Sequence, residues 1–581
     1  MRGDSFAAVW RSQNDPVAFG TKIVGGRLFG ILFKPGSAES IGLTRIVPDT
    51  VIPETADGRL PSMAAKGNWE PYTSVLGTTT FLIEGNTFAL NADGSEDTAN
   101  QRFVVALQPA AGGAMKLGEV FHTDAGQPYR MAINASRQNG NPGRVAGDKR
   151  PGGTNFMAGA EASPHFDTWK ALFNSDGRWD LGFDRLVDGR YGTVQTYSLD
   201  PTTLVQTMRS KAQDSAHGRD ASGASAGNQV SRFGGELACL DNGNFVSVVQ
   251  DNSRTLAPND AAVATIFTPD GSVVKEAWVV GLATGSDIWS NVAAYKGGFA
   301  IRCKPEDGSA TRWIYFFDNA GNLKGHVDQA ASGRAYDTGR GDGTRIAGHI
   351  NGPYVFLVGS LGGTAHSVPL SAFDSRDFSY VTTFEVTEAG FEATADRVGL
   401  AVDALNRVVV SWTSKPTGYN KSQVAARVLA FNEGTKTIGP LTPSFWAFIN
   451  NNPTNNIRSL QMNPSMTTKQ ILIAAKGEVN LQNKPENDAN STTEVNFYTV
   501  ISHPNPQDDP TTPVGGDTTP PTLTVSLAGT TLTIAWPTAS TGFTLESKNA
   551  LTDATWTAVG TANPTVITIG TTGNKFYRLR K

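Results

Sequence analysis

Short hydrophobic segments broken by turn residues recur along this chain at a fixed spacing. Turns fall at Gly243 in LDNGNFVSVVQ, Gly297 in AAYKGGFAIRC, Gly352 in INGPYVFLVGS and Asn406 in LAVDALNRVVVSW, a period of 54 or 55 residues. Each copy then supplies two more strand-like runs around a second turn, as in AAVATIFTPDGSVVKEAWVV from Ala261 and TRWIYFFDNAGNLKGHV from Thr311. A more degenerate copy uses QILIAA from Gln470 and TEVNFYTV from Thr493. Such regular self-similarity marks a repeat architecture. A four-stranded sheet cannot cover its own apolar faces, and stacking such sheets around an axis buries the faces and protects the edges. In the turns with Phe four residues before Gly, such as Phe317 to Gly321, the ring is expected to fill space between sheets. The Gly or Asn lets the hairpin backbone turn.

The fold expected is therefore all-β: a seven- or eight-bladed β-propeller over residues 1–502, followed by a small β-sandwich. Before Cys239 the period is harder to follow. Gly26, Gly85 and Gly189 are read there as first turns and FNSDGRW from Phe173 as a third-to-fourth turn. Residues 138–164 are read as a long polar insertion and the stretch from Lys211 as an exposed loop. The pattern resembles the β-propeller superfamily over about residues 4–502, without reproducing the repeated WD dipeptide signature, a kelch motif or a sialidase Asp-box series. That resemblance implies a fold and leaves the activity open, because propellers carry many chemistries.

Clustered Pro, Gly, Asp and Thr in HPNPQDDPTTPVGGDTTPP mark residues 503–521 as a linker. Residues 522–581 alternate apolar and polar positions between Gly-rich turns, as an immunoglobulin-like or fibronectin-III-like sandwich does. The segments LTIAWP, GFTLESKNAL, ATWTAV and FYRLRK also resemble C-terminal modules of secreted proteins from the Verrucomicrobia and Planctomycetes, which implies an exported setting. Trp536 and Trp556 are expected in that module's core. The alternative, carbohydrate stacking, needs an indole on an exposed flat face.

Composition narrows the classes of function. The charged fraction is 18%, the formal net charge is −4 and no block of Lys or Arg occurs, so a nucleic-acid backbone is not an expected partner. Two cysteines, Cys239 and Cys303, are too few for a disulfide scaffold and have no zinc-type spacing; one bridge and two buried thiols both stay open. No apolar run reaches the ~20 residues of a transmembrane helix. The opening MRGDSFAAVW lacks a signal-peptide pattern, so a secreted or cell-surface protein would be seen here without its signal.

Loops joining second and third strands share one end of a propeller with the connections between blades. Here those loops are longer and more polar than the hairpins at the other end, so a binding face is expected among them. The candidates on that face are Asp251, Arg254, Asp260, Asp287, Trp289, Glu306, Asp307, Arg312, Asp342, Arg345 and Asp396, with His349 approaching the centre. Carboxylates from different blades would serve acid/base hydrolysis or hold calcium, and Trp289 beside Asp287 would stack a sugar. Solvated loop charge and a Trp packed between blades are the plainer readings. Asp93, Ser95, Glu96 and Asp97 in LNADGSEDTAN gather the oxygen donors that Ca²⁺ favours, without EF-hand spacing, and an ordinary acidic hairpin is the plainer reading. No HExxH occurs, and the string GASAG at residues 223–227 falls in the stretch read as an exposed loop, so no strand-to-helix nucleophile elbow is expected. The leading expectation is a binding or structural protein recognising a polysaccharide or an extracellular protein. The second is an extracellular carbohydrate-active enzyme, a glycoside hydrolase or polysaccharide lyase.

Overall fold

The computed structural model describes residues 7–14, 23–33, 40–45, 72–77, 80–90, 96–109, 115–117, 121–122, 143–162, 191–209, 213–214, 236–251, 261–282, 292–307, 311–334, 336, 343–360, 366–419, 422–449, 457–480, 492–507, 523–528, 530–536, 544–550, 553, 555–568 and 575–580. The chain divides into two compact units, Met1–Asp509 and Pro510–Lys581.

The larger unit is a series of antiparallel sheets, eight among the described residues, built in chain order. The fourth contains Glu236–Cys239, Phe245–Asp251, Ala261–Phe267 and Val273–Leu282. The fifth contains Val292–Tyr295, Gly298–Cys303, Trp313–Asp318 and Leu323–Asp328. The sixth contains Thr344–Gly348, Tyr354–Gly359, Pro369–Asp374 and Ser379–Glu385. In the seventh, Ala393–Val402, Arg407–Ser414, Gln423–Asn432 and Thr437–Pro440 are joined by Phe445–Phe448, which also pairs with the third strand. The eighth has Ile457–Met466, Gln470–Asn480 and Thr492–Ser502.

First strands of successive sheets pack side by side from Tyr72–Leu76 and Gly143–Gly147 through Glu236–Cys239, Val292–Tyr295, Thr344–Gly348 and Ala393–Val402 to Ile457–Met466. That is a propeller-like arrangement, with the first strands of successive sheets adjacent. Burial follows it. Ala261–Phe267, Gly298–Cys303, Tyr354–Gly359 and Arg407–Ser414 are buried at every position, whereas Leu323–Asp328 on the outside is exposed or half-buried. Middle strands covered on both faces read as continuous apolar runs for this reason.

The repeated turns do what their residues suggest. Gly243, Gly297 and Asn406 adopt φ of 94°, 93° and 57°, and Gly271 and Gly321 in the second hairpins adopt 84° and 79°. In the segment FFDNAGNLKGH, the Asp318 carboxylate accepts from the amides of Ala320 and Asn322 at 2.9 Å each, and the Gly321 amide donates to the Asp318 carbonyl. The aromatic residues before these turns are buried: Phe267, Phe317, Phe373 and Phe431. Phe317 stacks on Phe299 at 5.2 Å and meets Trp278 of the preceding sheet edge-on at 5.7 Å; Phe431 lies 4.4 Å from Tyr354, also of the preceding sheet.

Upstream of Cys239 the sequence reading needs correcting. Gly26 lies inside the unbroken strand Ile23–Phe33, and Gly85 inside Thr80–Leu90. An isolated glycine is tolerated within a strand, and nothing local distinguishes it from a turn glycine. The second sheet turns at Gly77 instead, with φ of 59°. The stretch taken as a polar insertion holds two paired strands, Gly143–Gly147 and Asn155–Ala162. Gly189 and FNSDGRW lie outside the described residues.

The smaller unit has two three-stranded sheets, one of Thr524–Ala528, Thr531–Ala535 and Thr565–Thr568, the other of Thr557–Gly560, Thr544–Lys548 and Phe576–Arg580. They share a core of Ile534, Trp536 and Leu545.

Candidate functional site

The antiparallel order gives the larger unit two chemically different ends. At one lie the first and third hairpins, and their polar groups tie sheet to sheet. Arg150 forks onto Asp148 at 2.6 and 2.8 Å and donates to the Asn242 carbonyl of the next sheet at 2.7 Å. Asp241 accepts from the Gly297 amide at 2.7 Å and from Asn319 Nδ2 at 2.6 Å. The Lys296 amide donates to the Gly352 carbonyl at 3.0 Å. Between the sixth and seventh sheets, Arg376 pairs with Asp374 at 2.7 Å and Glu433 at 2.8 Å over the buried Tyr354 ring. An open pocket of about 350 Å³ lies at the third sheet's turn, lined by Asp148, Arg150, Gly152, Gly153, Thr154 and Asn155. Its charged pair is already committed to the neighbouring turn, so it is a gap between hairpins.

The opposite end carries the longer loops and the connections between sheets. Two arginines are buried there, Arg302 at 3% exposure and Arg312 at 1%. Arg302 Nε donates to Gln329 Oε1 at 2.9 Å, and the Gln329 amide donates to the Arg312 carbonyl at 3.1 Å. Gln329 opens a single 3₁₀ turn, Gln329–Ser332, in which the Ala330 amide donates to the Asp328 carboxylate and whose end is closed by Gly333 at φ 67°. Beyond it, Tyr336 shares a short hydrogen bond with Ser371, which in turn meets Thr383 at 2.6 Å. Burial raises the Tyr336 phenol well above its usual range. Tyr315 is raised likewise, by burial and then by Cys303, Asp307 and Glu306 around it.

Of the residues singled out from sequence, Glu306 and Asp307 are exposed on the loop after Gly298–Cys303, as expected for a recognition face. Arg312, read as a loop charge, is instead buried beneath that loop. Arg345 is half-buried on an innermost strand and donates from Nε to the Val398 carbonyl of the next sheet at 3.3 Å. His349 lies in the hairpin that follows the same strand, at the other end of the unit, with Nδ1 3.3 Å from the Asn351 amide. It is therefore separated from Glu306 and Asp307 by the length of a strand.

Asp251 ends the strand Phe245–Asp251, opposite Ala261. Asp396 falls in the register irregularity between the pairs Ala393–Ser414 and Val398–Trp412, at the start of an innermost strand. Both backbone positions lie at the loop end. Arg254, Asp260, Asp287, Trp289 and Asp342 lie outside the described residues, as do Asp93 and Ser95. Glu96 and Asp97 open the strand Glu96–Pro109, where Glu96 pairs with Leu90. Among the described residues no group of three or more His, Cys, Asp or Glu is placed to hold a metal. Among them, too, no helix is long and apolar enough to cross a membrane.

Sequence reasoning missed Arg302, Gln329 and Tyr336. A lone Arg inside the apolar run GFAIRC was the available signal, since a buried strand tolerates a guanidinium only with partners.

No protein-family profile and no curated protein sequence matches the chain. Solved structures with similar sheet arrangements include a putative 6-phosphogluconolactonase from Bacteroides fragilis, 10% identical at a TM-score of 0.34, covering 73% of this chain and 98% of that one. The β-propeller domain of the Trilobed protease from Pyrococcus furiosus is 10% identical at 0.32, covering 72% and 96%. The α-L-arabinanase of Penicillium chrysogenum is 13% identical at 0.33, covering 62% and 92%. Likenesses this distant assign no activity, and the propeller-like architecture rests on the chain's own sheets and turns.

Proposed function

We propose that the loop end of the larger unit engages an extracellular polysaccharide. The observation that carries the reading is the contrast between the two ends. The hairpin end commits its charged groups to sheet-to-sheet contacts, whereas the loop end exposes Glu306 and Asp307 above a floor containing buried Arg302 and Arg312. Polar groups held on a packed floor are what selective recognition of hydroxyl-rich ligands requires.

Cleavage of the same ligand is the second reading, and the placement of Asp251 and Asp396 at one end favours it. Asp251 and Asp396 start from different sheets at one end, the arrangement from which paired carboxylates act on a glycosidic bond. Closure of the eight sheets into one ring, an immunoglobulin- or fibronectin-III-like identity for residues 522–581, export to the cell exterior, and calcium at Asp93, Ser95, Glu96 and Asp97 belong to the same proposal.

The test is a glycan-binding screen on the full chain with chromatography of the products. Binding without product, weakened by Glu306→Gln with Asp307→Asn, supports recognition alone. Product lost on Asp396→Asn or Asp251→Asn, with binding kept, makes the protein a glycoside hydrolase or lyase. Failure to engage any glycan, or capture of an extracellular protein through these same residues, overturns the polysaccharide reading.

A further inference from the structure

Trp556 departs from the core role that its aromatic character suggests. Core residues of the smaller unit include Leu545, with Tyr577 and Leu579 packed against it. Strand alternation sends Glu546, Lys548 and Arg578 to the opposite, outer face of the sheet. Trp556 stands just before the edge strand Thr557–Gly560, yet its ring lies 4.3 Å from the Arg578 guanidinium, two strands away. It also lies 4.7 Å from Lys548 Nζ. An indole reaching that far must lie along the sheet.

Arg578 is held beneath it: Nε and Nη2 pair with Glu546 Oε2 at 2.8 and 2.7 Å, and the Glu546 side chain is only 8% exposed. The layers run from the sheet through the buried Glu546 carboxylate and the partly exposed Arg578 guanidinium to a half-buried indole. Arg580, 68% exposed, reaches the same carboxylate only at 3.5 Å and keeps most of its donors toward solvent. Two arginines therefore share Glu546, and Lys548 stands on the same face of the sheet. Among the described residues nearby, the Asp553 carboxylate accepts from the amides of Asn549 and Ala550 in its own turn, and its carbonyl accepts from Lys548 Nζ at 3.4 Å.

We infer that this ledge is a second glycan site, built for an anionic polysaccharide. A sugar ring stacks on the outer face of Trp556 while Arg580 and Lys548 meet the carboxylates of a uronic-acid chain. A flat indole suits the C–H face of a pyranose, and guanidinium suits a carboxylate in a two-pronged bond. The inference rests on the polysaccharide reading for its ligand class, but it places binding on different residues in a different unit.

The experiment is affinity electrophoresis of the full chain through gels containing polygalacturonate, neutral dextran or polyglutamate. Retardation is expected in polygalacturonate alone. Trp556→Ala and Arg580→Glu should each weaken it about tenfold, a loss of one good contact. Trp556→Phe should restore part of it, and thermal melts should confirm that each variant folds. Unchanged retardation in Trp556→Ala overturns the inference, as does equal retention by polyglutamate, which signals unspecific charge. Loss confined to the Glu306 and Asp307 variants overturns it too while leaving the propeller site standing. Loss confined to Trp556 and Arg580 does the reverse.

Discussion

Arg407 and His503, 96 residues apart in sequence, meet in a buried hydrogen bond of 3.2 Å between the guanidinium and Nδ1. Arg407 is also paired with Asp403 at 2.6 Å and donates to the carbonyls of Thr468 and Asn505. One arginine on the seventh sheet thus fixes the hairpin of the eighth and the chain as it leaves the last strand. His503 Nδ1 accepts from the Asn505 amide at 3.1 Å as well, so the imidazole is neutral and carries its proton on Nε2.

Burial and the adjacent guanidinium lower the His503 pKa to about 4. The unfolded chain takes up this proton first, near the ordinary value of about 6.5. Stability from the neutral imidazole is then complete above about pH 6.5 and is lost as pH falls toward 4, by up to ~3 kcal/mol. Urea midpoints of the wild type and His503→Gln, compared at pH 7.5 and 4.5, check this. The wild type should lose more than the variant on acidification, and parallel losses would remove His503 as the cause.

Gly321 serves both the turn and the packing between sheets. Its φ of 79° disfavours a side chain, and a Cβ there would come within 2.8 Å of Ile266 Cδ1 and 3.0 Å of Trp278 Cη2. Gly321→Ala should therefore destabilise the larger unit by ~2 kcal/mol or more. Gly297 has the same handedness but open space around it, so Gly297→Ala should cost only the conformational part, ~1 kcal/mol. Equal midpoints for the two variants in urea would contradict this account.

These turns explain why so much of the architecture was legible. A positive φ is a local demand that Gly or Asn announces, and Gly243, Gly297 and Asn406 announce it one and then two repeat lengths apart, while Gly352 between them turns without it. Gly26 and Gly85 misled because a strand glycine looks the same in sequence and only its partners distinguish it. The candidate site was less legible because charge is spent over long range. Arg345 on Val398, Arg302 on Gln329 and Arg407 on His503 all cross 27 to 96 residues, and no spacing rule reports such pairs. Trp556 was read with Trp536 as core; only the register of Glu546 against Arg578 separates the two.

The two cysteines are free and buried in the larger unit. Burial raises the Cys239 thiol to about 12, which leaves almost no thiolate at neutral pH. A colorimetric thiol reagent at pH 8 should accordingly find none reacting promptly in the folded protein and two in denaturant. Two absent thiols in denaturant would mean that a bridge forms, against this packing.

Asp241 gives a direct measure of how strongly one sheet holds the next. Its carboxylate accepts the Gly297 amide and the Asn319 side-chain amide, both from the following sheet, and both bonds are charge-assisted. Asp241→Ala leaves two donors at the hairpin end to find water. The expected cost is ~2 kcal/mol, tempered by the partial exposure of the site. Asp241→Asn keeps one acceptor oxygen and should recover about half of that by urea denaturation. Because the contact joins sheets, amide exchange should quicken around Gly297 and Asn319 more than within the strands of either sheet. Protection unchanged at those positions would show that apolar contacts such as Phe317 on Trp278 hold the sheets together without help from the turns.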